Sequence, residues 1–512
     1  MATVQRRLPG IVFEPWSPPP DDVLPRMDIA GFVGFAETGP IGTPVAVPDP
    51  ARFTEVFGGP VTLFRDVASG ERVTGYLAAA VETFFRNGGR RCWVVRVAGA
   101  GEPAPASPPG PEPVRERLAA FEAALFLDPD LADVGTATLL ATADHLRDQS
   151  ERPRPLTGAH ALLGIDEVTL VAVPDAAQTP WRRAHPKPPP PPAPPPSAPE
   201  PEPDDCAHDR GPGFHDLAPA PRPSPAIPPG APASGVADAS QAVPDEGWTR
   251  DPGATADALL AVQAAVVRMC AARGDMLAVL AAPYGAGADE AAAHAARLRA
   301  ALGDERTLGF GALYHPWTMT GGGDTVPPDG AAAGVLANTA ATRGCWTAPA
   351  NSPLAGVVAL RPALDPRTYL RLQDGRVNTV RREPRGFLWL SAATLSADPD
   401  LGRLGTRRLL SLLRRIAHRH STWSFAFEPN DQVLCRAVRR RFEEILARLL
   451  AGGAFAGATP DEAYQVTVGG GPARLGENRL TVELRVAPSA PLRFLTVRLV
   501  NAGDATLVAE VG

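Results

Sequence analysis

The sequence predicts an α/β protein with a distinct C-terminal part that ends in strands. Three observations carry this expectation. Short apolar runs alternate with helix-spaced segments over residues 29–98 and again after residue 255. A stretch from Pro180 to Pro232 holds 21 prolines in 53 residues and interrupts that alternation. The last third holds two long helical patterns and then three strand-like runs.

Residues 1–28 read as an extended arm. Pro9, Pro15, Pro18, Pro19, Pro20 and Pro25 disfavour helix, and Ile11, Val12 and Phe13 form a short strand-like patch between them. Such an arm has no core of its own and must pack on another surface. IAGFVGFAE (29–37) reads as a buried strand, with Gly31 and Gly34 allowing close backbone approach. GYLAAAVETFFR (75–86) is spaced as a helix and stops at Asn87-Gly88-Gly89. CWVVRV (92–97) is the next strand, ERLAAFEAALF (116–126) the next helix, and VTLVAV (168–173) an interior strand.

The proline-rich segment cannot bury enough apolar area to offset its ordering entropy, so it reads as a surface insertion of polyproline character. Helical spacing resumes in TADALLAVQAAVVRMCAARG, an amphipathic pattern closed by Gly274. MLAVL (276–280), a helix over 289–302 and a strand over 307–314 follow. The insertion therefore falls between a strand and the next helix. Helices are expected at 403–418 and 432–451. In RLTVELRVA, Leu480, Val482, Leu484 and Val486 alternate with polar residues, as in a half-buried strand. LRFLTVRLV (492–500) and ATLVAEV (505–511) continue the pattern. Strands at both chain ends leave pairing edges that suggest exchange between subunits.

The net charge is −6, which argues against a surface that coats nucleic acid. Its distribution says more. Residues 361–448 hold 18 Arg and 9 Asp or Glu, a net of +9 that leaves −15 to the remainder. A chain divided in this way can attract copies of itself or a charged partner. The five cysteines are widely spaced without a CxxC, so reduced, buried thiols are expected rather than a disulfide framework or zinc ribbon. The first residues lack the apolar run of a signal peptide, and no run of about 18 apolar residues occurs.

Candidate chemistry is thin. No GxSxG, HExxH or GxxxxGK[ST] occurs, and the triple-residue glycine spots lack the Lys and Ser/Thr of a phosphate cradle. Cys206, His208, Asp209 and His215 are metal-ligand types inside the proline-rich stretch, with no scaffold to preorganise them. His315 and Trp317 stand at a strand end, where α/β proteins often bind ligands, but Pro316 favours a rigid turn. His418 and His420 follow Arg414 and Arg415 near a helix C-terminus, a favourable place for cations, and no aromatics interleave for nucleic-acid stacking. The expectation is no catalytic residues, no metal, no cofactor, no nucleic acid and no membrane insertion.

Several segments together resemble the contractile tail sheath proteins of phages and phage-like injection systems. They are PGIVFEP (9–15), GFVGFAETGP (31–40), FTEVFGG (53–59), FFRNGGRRCWVVRV (84–97) and RGDMLAVLAAP (273–283). LYHPW (313–317), VPPDGAAAGVLANTAATRGCWTAPAN (326–351) and LAGVVAL (354–360) form the most specific block. REPRGFLWLSAATLSADPD (382–400), FEPND (427–431) and GATPDEAYQV (457–466) complete the series. The match spans most of the chain outside residues 175–250. The opening arm, the tail beyond the usual last strand and the proline-rich insertion depart from the family pattern.

The resemblance implies a sheath-type core with a subtilisin-like α/β domain, the label describing a fold and not a protease. It divides the chain into an arm (1–28), a first α/β part (29–100), the subtilisin-like domain with its insertion (101–360), a C-terminal domain (361–487) and a strand arm (488–512). It implies a homo-oligomer of hexameric rings stacked helically around an inner tube protein, with baseplate and terminator or cap proteins as further partners. Assembly would take place in the cytoplasm of a producing bacterium, into a particle that acts there or is released. Ile11, Val12 and Phe13, with Leu495, Val497 and Leu499, are then candidates for donated strands. Arg407, Arg408, Arg414 and Arg415 are candidates for contacting an acidic neighbour or the tube. A specialised baseplate-proximal paralogue, a degenerate hydrolase and a monomeric module using the proline-rich segment as its ligand are the alternatives.

Overall fold

A computed structural model of the chain describes residues 23–97, 123–179, 181–183, 248–250, 257–423, 432–469, 480–489, 495–501 and 506–511. Its centre is a nine-stranded sheet. In chain order the first strands are β1 (Ala30–Gly34), β2 (Val45–Val47), β3 (Thr62–Arg65), β4 (Arg72–Thr74), β5 (Cys92–Arg96) and β6 (Leu170–Ala172). Next come β7 (Trp181–Arg183), β8 (Trp248–Arg250), β9 (Leu277–Ala281), β10 (Gly311–His315), β11 (Trp317–Thr320) and β12 (Thr325–Val326). β13 (Pro353–Leu354), β14 (Val357–Arg361), β15 (Val377–Glu383) and β16 (Gly386–Trp389) follow. The large sheet runs β13-β16-β15-β10-β9-β6-β1-β5-β2. The six strands from β15 to β5 are parallel, and antiparallel strands close both edges.

The interior strands are apolar on both faces because helices cover both. Phe32, Val94, Leu170, Leu277 and Ala312 point to one side, where helices Leu77–Arg86 and Asp329–Arg343 pack. Val33, Val95, Val171, Ala278 and Leu313 point to the other, covered by helix Asp257–Arg273. That helix packs on β9, with helix Ala288–Leu302 beside it on the same face against β15, and it buries Leu259, Val262 through Val267, Met269 and Cys270. It is covered nearly all round rather than on one stripe. The strand expected from residue 307 starts at Gly311 instead. Asp304 accepts hydrogen bonds from the backbone N–H groups of Arg306 and Thr307, which caps a short helix, Glu305–Leu308, ahead of the strand.

The two ends of the insertion meet in an antiparallel ladder, Trp181 opposite Arg250 and Arg183 opposite Trp248. The proline-rich stretch between them lies outside the described residues, as do residues 1–22 and most of the helix expected over 116–126; Ala123–Leu125 form a 3-10 turn.

The C-terminal part has its own core. Helices Leu404–Trp423 and Gln432–Ala451 enclose Leu409, Leu410, Leu413, Ile416, Val438, Phe442, Leu446 and Leu449. They pack on a four-stranded antiparallel meander of β17 (Tyr464–Gly469), β18 (Leu480–Val486), β19 (Leu495–Asn501) and β20 (Thr506–Val511). β15 and β16 belong to the large sheet, so residues past 361 contribute to both units.

Candidate functional site

The carboxyl ends of β1 and β6 form the switch point of the sheet. From β1 the chain crosses to β5 on one side, and it then returns past β1 to β6 on the other. Open α/β sheets leave a crevice at such a point. Here Asp175 fills it. Its carboxylate accepts hydrogen bonds from the backbone N–H groups of Phe35 at 2.8 Å, Tyr76 at 2.6 Å and Leu77 at 3.3 Å. The side chain of Gln178 donates to it at 3.3 Å and to the carbonyl of Thr74 at 2.9 Å. Asp175 thus satisfies the first amides of helix Leu77–Arg86, where an anion also suits the helix dipole. Gly34 makes room for it, since a Cβ there would lie 2.3 Å from Oδ2. Burial pushes its carboxyl up to about 6 against these donors.

Asp329 starts helix Asp329–Arg343 at the same edge and accepts from the N–H of Gly330 at 2.8 Å. Burial first, and then the nearby charge of Asp175, push it up to about 7. Beside these acids Trp317 stands edge-on between Tyr76 and Tyr284, each ring centroid 5.1 Å away, and its indole N–H donates to the carbonyl of Ala282 at 2.8 Å. His315 ends β10 ahead of a cis bond to Pro316; it is fully buried and neither ring nitrogen has a hydrogen-bond partner among the described residues. Burial lowers its pKa to about 4, so the ring is neutral near pH 7. The residues expected at a strand end are therefore core residues. A cavity of about 550 Å³ opens next to them, lined in part by Phe53, Tyr76, Glu82, Tyr284, Asp324 and Arg361.

Arg407, Arg408, Arg414 and Arg415, the four candidate arginines of helix Leu404–Trp423, turn into the chain. Arg407 is 1 % exposed, with its guanidinium 4.1 Å from the ring centroid of Phe310. Arg408 is 2 % exposed and donates to the carbonyls of Met27 and Leu336. Arg414 is half-buried against Gly274. Arg415 pairs with Asp275 at 2.7 Å and donates to the carbonyl of Asp166 at 2.6 Å. The reason is spacing. Positions 407, 408, 414 and 415 recur every seven residues and share the stripe that faces the rest of the protein. Sequence reading assigns arginines to solvent by type and does not see which stripe is covered.

The exposed basic face lies on the next helix. Arg436, Arg439 and Arg440 are exposed at i, i+3 and i+4, opposite the buried Leu434, Val438, Phe442 and Ile445. The same periodicity that gave the apolar face would have singled them out. Leu495, Val497 and Leu499 lie in β19, whose backbone pairs with β18 on one side and β20 on the other within the chain. Ile11, Val12 and Phe13 fall outside the described residues. Cys92, Cys270 and Cys345 are buried, Cys435 is half-buried, and burial pushes the Cys345 thiol up to about 11. Among the described residues no three His, Cys, Asp or Glu side chains are grouped to hold a metal, and no helix is long and apolar enough to cross a membrane. The cluster around Cys206 lies outside them.

No protein-family model matches the chain, and no curated protein matches it in sequence. Solved structures do. The anti-feeding prophage baseplate in its contracted state contains a chain of 18 % identity with a TM-score of 0.58, the match covering 96 % of this chain and 97 % of that one. A chain of the PVC sheath complex, an extracellular contractile injection system in the contracted state, is 16 % identical with a TM-score of 0.56 and 96 % coverage of both. The contracted helical sheath of the anti-feeding prophage gives 19 % identity, a TM-score of 0.54, and 96 % and 98 % coverage. Over nearly its whole length, the chain has the mixed α/β fold of the contractile tail sheath proteins.

Proposed function

We propose that this protein is a structural, non-enzymatic sheath subunit of a contractile injection particle. It polymerises as stacked hexameric rings around an inner tube protein and contracts to drive the tube through a target envelope. The observation that carries the reading is the end-to-end fold match to sheath structures, which includes the C-terminal part as well as the α/β core. Three features support it. The meander has two outer strands, β17 and β20, each paired on one side among the described residues, and an open edge accepts a strand from another chain. The arm at 1–28 supplies strand-like sequence for such exchange, with Ile11 to Phe13 as the donated patch, whereas Leu495 to Leu499 could be donated from the arm at 488–512 only by leaving the pairing with β18 inside the chain. Arg436, Arg439 and Arg440 offer a positive face to an acidic neighbour or tube.

Strand exchange gives main-chain hydrogen bonds that survive sliding of the globular bodies. Contraction then needs two packings of the same subunits, the extended one metastable, so no nucleotide is required. Asp175 and Asp329 serve this reading as architecture, since the carboxylate of Asp175 is occupied by backbone N–H groups. Production in the cytoplasm of a bacterium, with assembly on baseplate and cap proteins, completes it. The fold match to the baseplate structure favours a second reading, a specialised paralogue forming rings near the baseplate.

Negative-stain electron microscopy of the protein, alone and co-expressed with its tube partner, tests both. Striated hollow cylinders are expected. Monodisperse particles under both conditions would overturn the main-sheath reading, and short rings only on a baseplate would favour the paralogue.

A further inference from the structure

Residues 23–28 run into β1 without a strand ladder of their own, and only at Ile29 does the carbonyl accept from the backbone N–H groups of Thr169 and Leu170, so the carbonyls before it need other donors. Two arginines of helix Leu404–Trp423 supply them. Arg408 donates from one Nη to the carbonyl of Met27 and from the other to Leu336 at 2.9 Å. Arg419 donates to the carbonyl of Val23 at 3.1 Å. Arg408 and Arg419 are eleven residues apart, about 16 Å at 1.5 Å per residue. Val23 and Met27 are four apart, about 13 Å in extended chain. The segment therefore lies along about half of the helix, antiparallel to it. Met27 is buried in the C-terminal core with Leu409, Leu410 and Leu413, and Leu24 packs against the same cluster. Burial works against the charge of the Arg408 guanidinium, and nearby Asp28, held by Arg26 at 2.8 Å, offsets a part of that.

The same helix also packs against β19 and β20. One helix thus carries the root of the N-terminal segment and the last two strands of the chain. Arg415 with Asp275 and Arg407 with Phe310 tie it to the large sheet.

We propose that Arg408 and Arg419 are positioning residues that clamp the root of the N-terminal arm to helix Leu404–Trp423 and set the point at which residues 1–22 leave the body. The clamp makes side chains, not a β-ladder, responsible for the exit point. It holds carbonyls through guanidinium groups, so it depends on two residues rather than on the general β-propensity of the segment. Its consequence for assembly rests on the sheath reading; its geometry does not. If arms are exchanged between subunits, an arm with a wandering root reaches the neighbouring edge at a lower effective concentration.

The test uses the full-length chain with Arg419→Ala, Arg419→Lys and Arg408→Gln. Hydrogen exchange followed by mass spectrometry reads residues 23–29, with β9 and β10 as internal reference. Arg419→Ala is expected to speed exchange of the 23–29 segment at least tenfold while the reference strands keep their protection, and Arg419→Lys restores most of it. Arg408→Gln should give a larger increase. Unchanged exchange at 23–29 in both Arg419→Ala and Arg408→Gln, with the reference strands intact, would overturn the clamp. Electron microscopy of the same variants separates the two claims. Faster exchange with normal polymers would overturn the role in assembly and keep the clamp. Absence of polymers from the unaltered protein beside its tube would instead strike the sheath reading, leaving the exchange result standing.

Discussion

Asp329 and Asp175 meet at the carboxyl edge of the large sheet, 154 positions apart in the chain, both fully buried and close enough that the charge of Asp175 raises the pKa of Asp329. They differ in their donors. Asp175 collects three backbone N–H groups and the amide of Gln178, and it stays at about 6. Asp329 has the N–H of Gly330 and its own, and rises to about 7. A buried carboxylate keeps its charge only in proportion to the hydrogen bonds that replace water.

Asp329→Asn is therefore expected to stabilise the protein at alkaline pH. A carboxyl raised from 3.8 to about 7 on folding favours the folded state while protonated. That contribution is complete below 3.8 and is lost as pH rises through about 7. Asparagine mimics the protonated acid at every pH. The gain over the unaltered protein should approach ~4 kcal/mol at pH 8 and vanish near pH 4. Urea unfolding at both values checks it, and an equal difference at the two would count against this account.

Asp275 serves two arginines, Arg273 through Nε and Arg415 through Nη1, both at 2.7 Å. Asp275→Ala leaves two largely buried cations without it and should cost about 3 kcal/mol or more. Arg415→Ala removes one and should cost less. The double variant should cost less than the sum of the two, because they share one interaction. Strict additivity in denaturant unfolding would show that the pair does not couple helix Leu404–Trp423 to the sheet.

Gly330 and Gly334 set the contact between helices Asp329–Arg343 and Leu77–Arg86. A Cβ at Gly330 would lie 2.4 Å from the carbonyl oxygen of Ala80, and one at Gly334 2.4 Å from that of Phe84. Both obstacles are backbone. Alanine at either position should destabilise by about 1–3 kcal/mol through overpacking. Gly135→Ala, with nothing within 4 Å, should be close to neutral. Thermal melts of the three variants decide the matter; equal losses would refute the close-packing argument.

Charge reversal of Arg436, Arg439 and Arg440 to Glu should leave the unfolding midpoint within about 0.5 kcal/mol, since all three are exposed. Polymer yield with the tube partner should fall several-fold at low salt, and the deficit should shrink as salt rises. Normal polymers at low salt would remove this face from the assembly surface.

Local physics made much of the fold legible in the sequence. β1, β5 and β9 are short apolar runs bounded by turn residues, and each forms where the runs predict. Helix Leu77–Arg86 stops at Asn87, and helix Asp257–Arg273 stops at Gly274, whose φ of +77° suits glycine. These outcomes depend on sterics and capping within a few residues. The family resemblance was legible for the same reason, being a series of such segments in order.

Tertiary structure decided what covers each face. Arg407 and Arg408 sit on a helix that the sequence predicts well, but only packing against Phe310, Met27 and Leu336 turns them inward. Helix Asp257–Arg273 is buried nearly all round because β9, helices Ala288–Leu302, Leu139–Asp144 and Glu305–Leu308 and the 3-10 segment Gly158–Gly164 all pack against it. Asp175 and Asp329 gain their shared environment from the strand order, which brings β6 beside β1 and places a later helix above them. Periodicity is a property of one segment, whereas burial and charge environment belong to pairs of segments far apart in the chain, and no local spacing encodes which pair will meet.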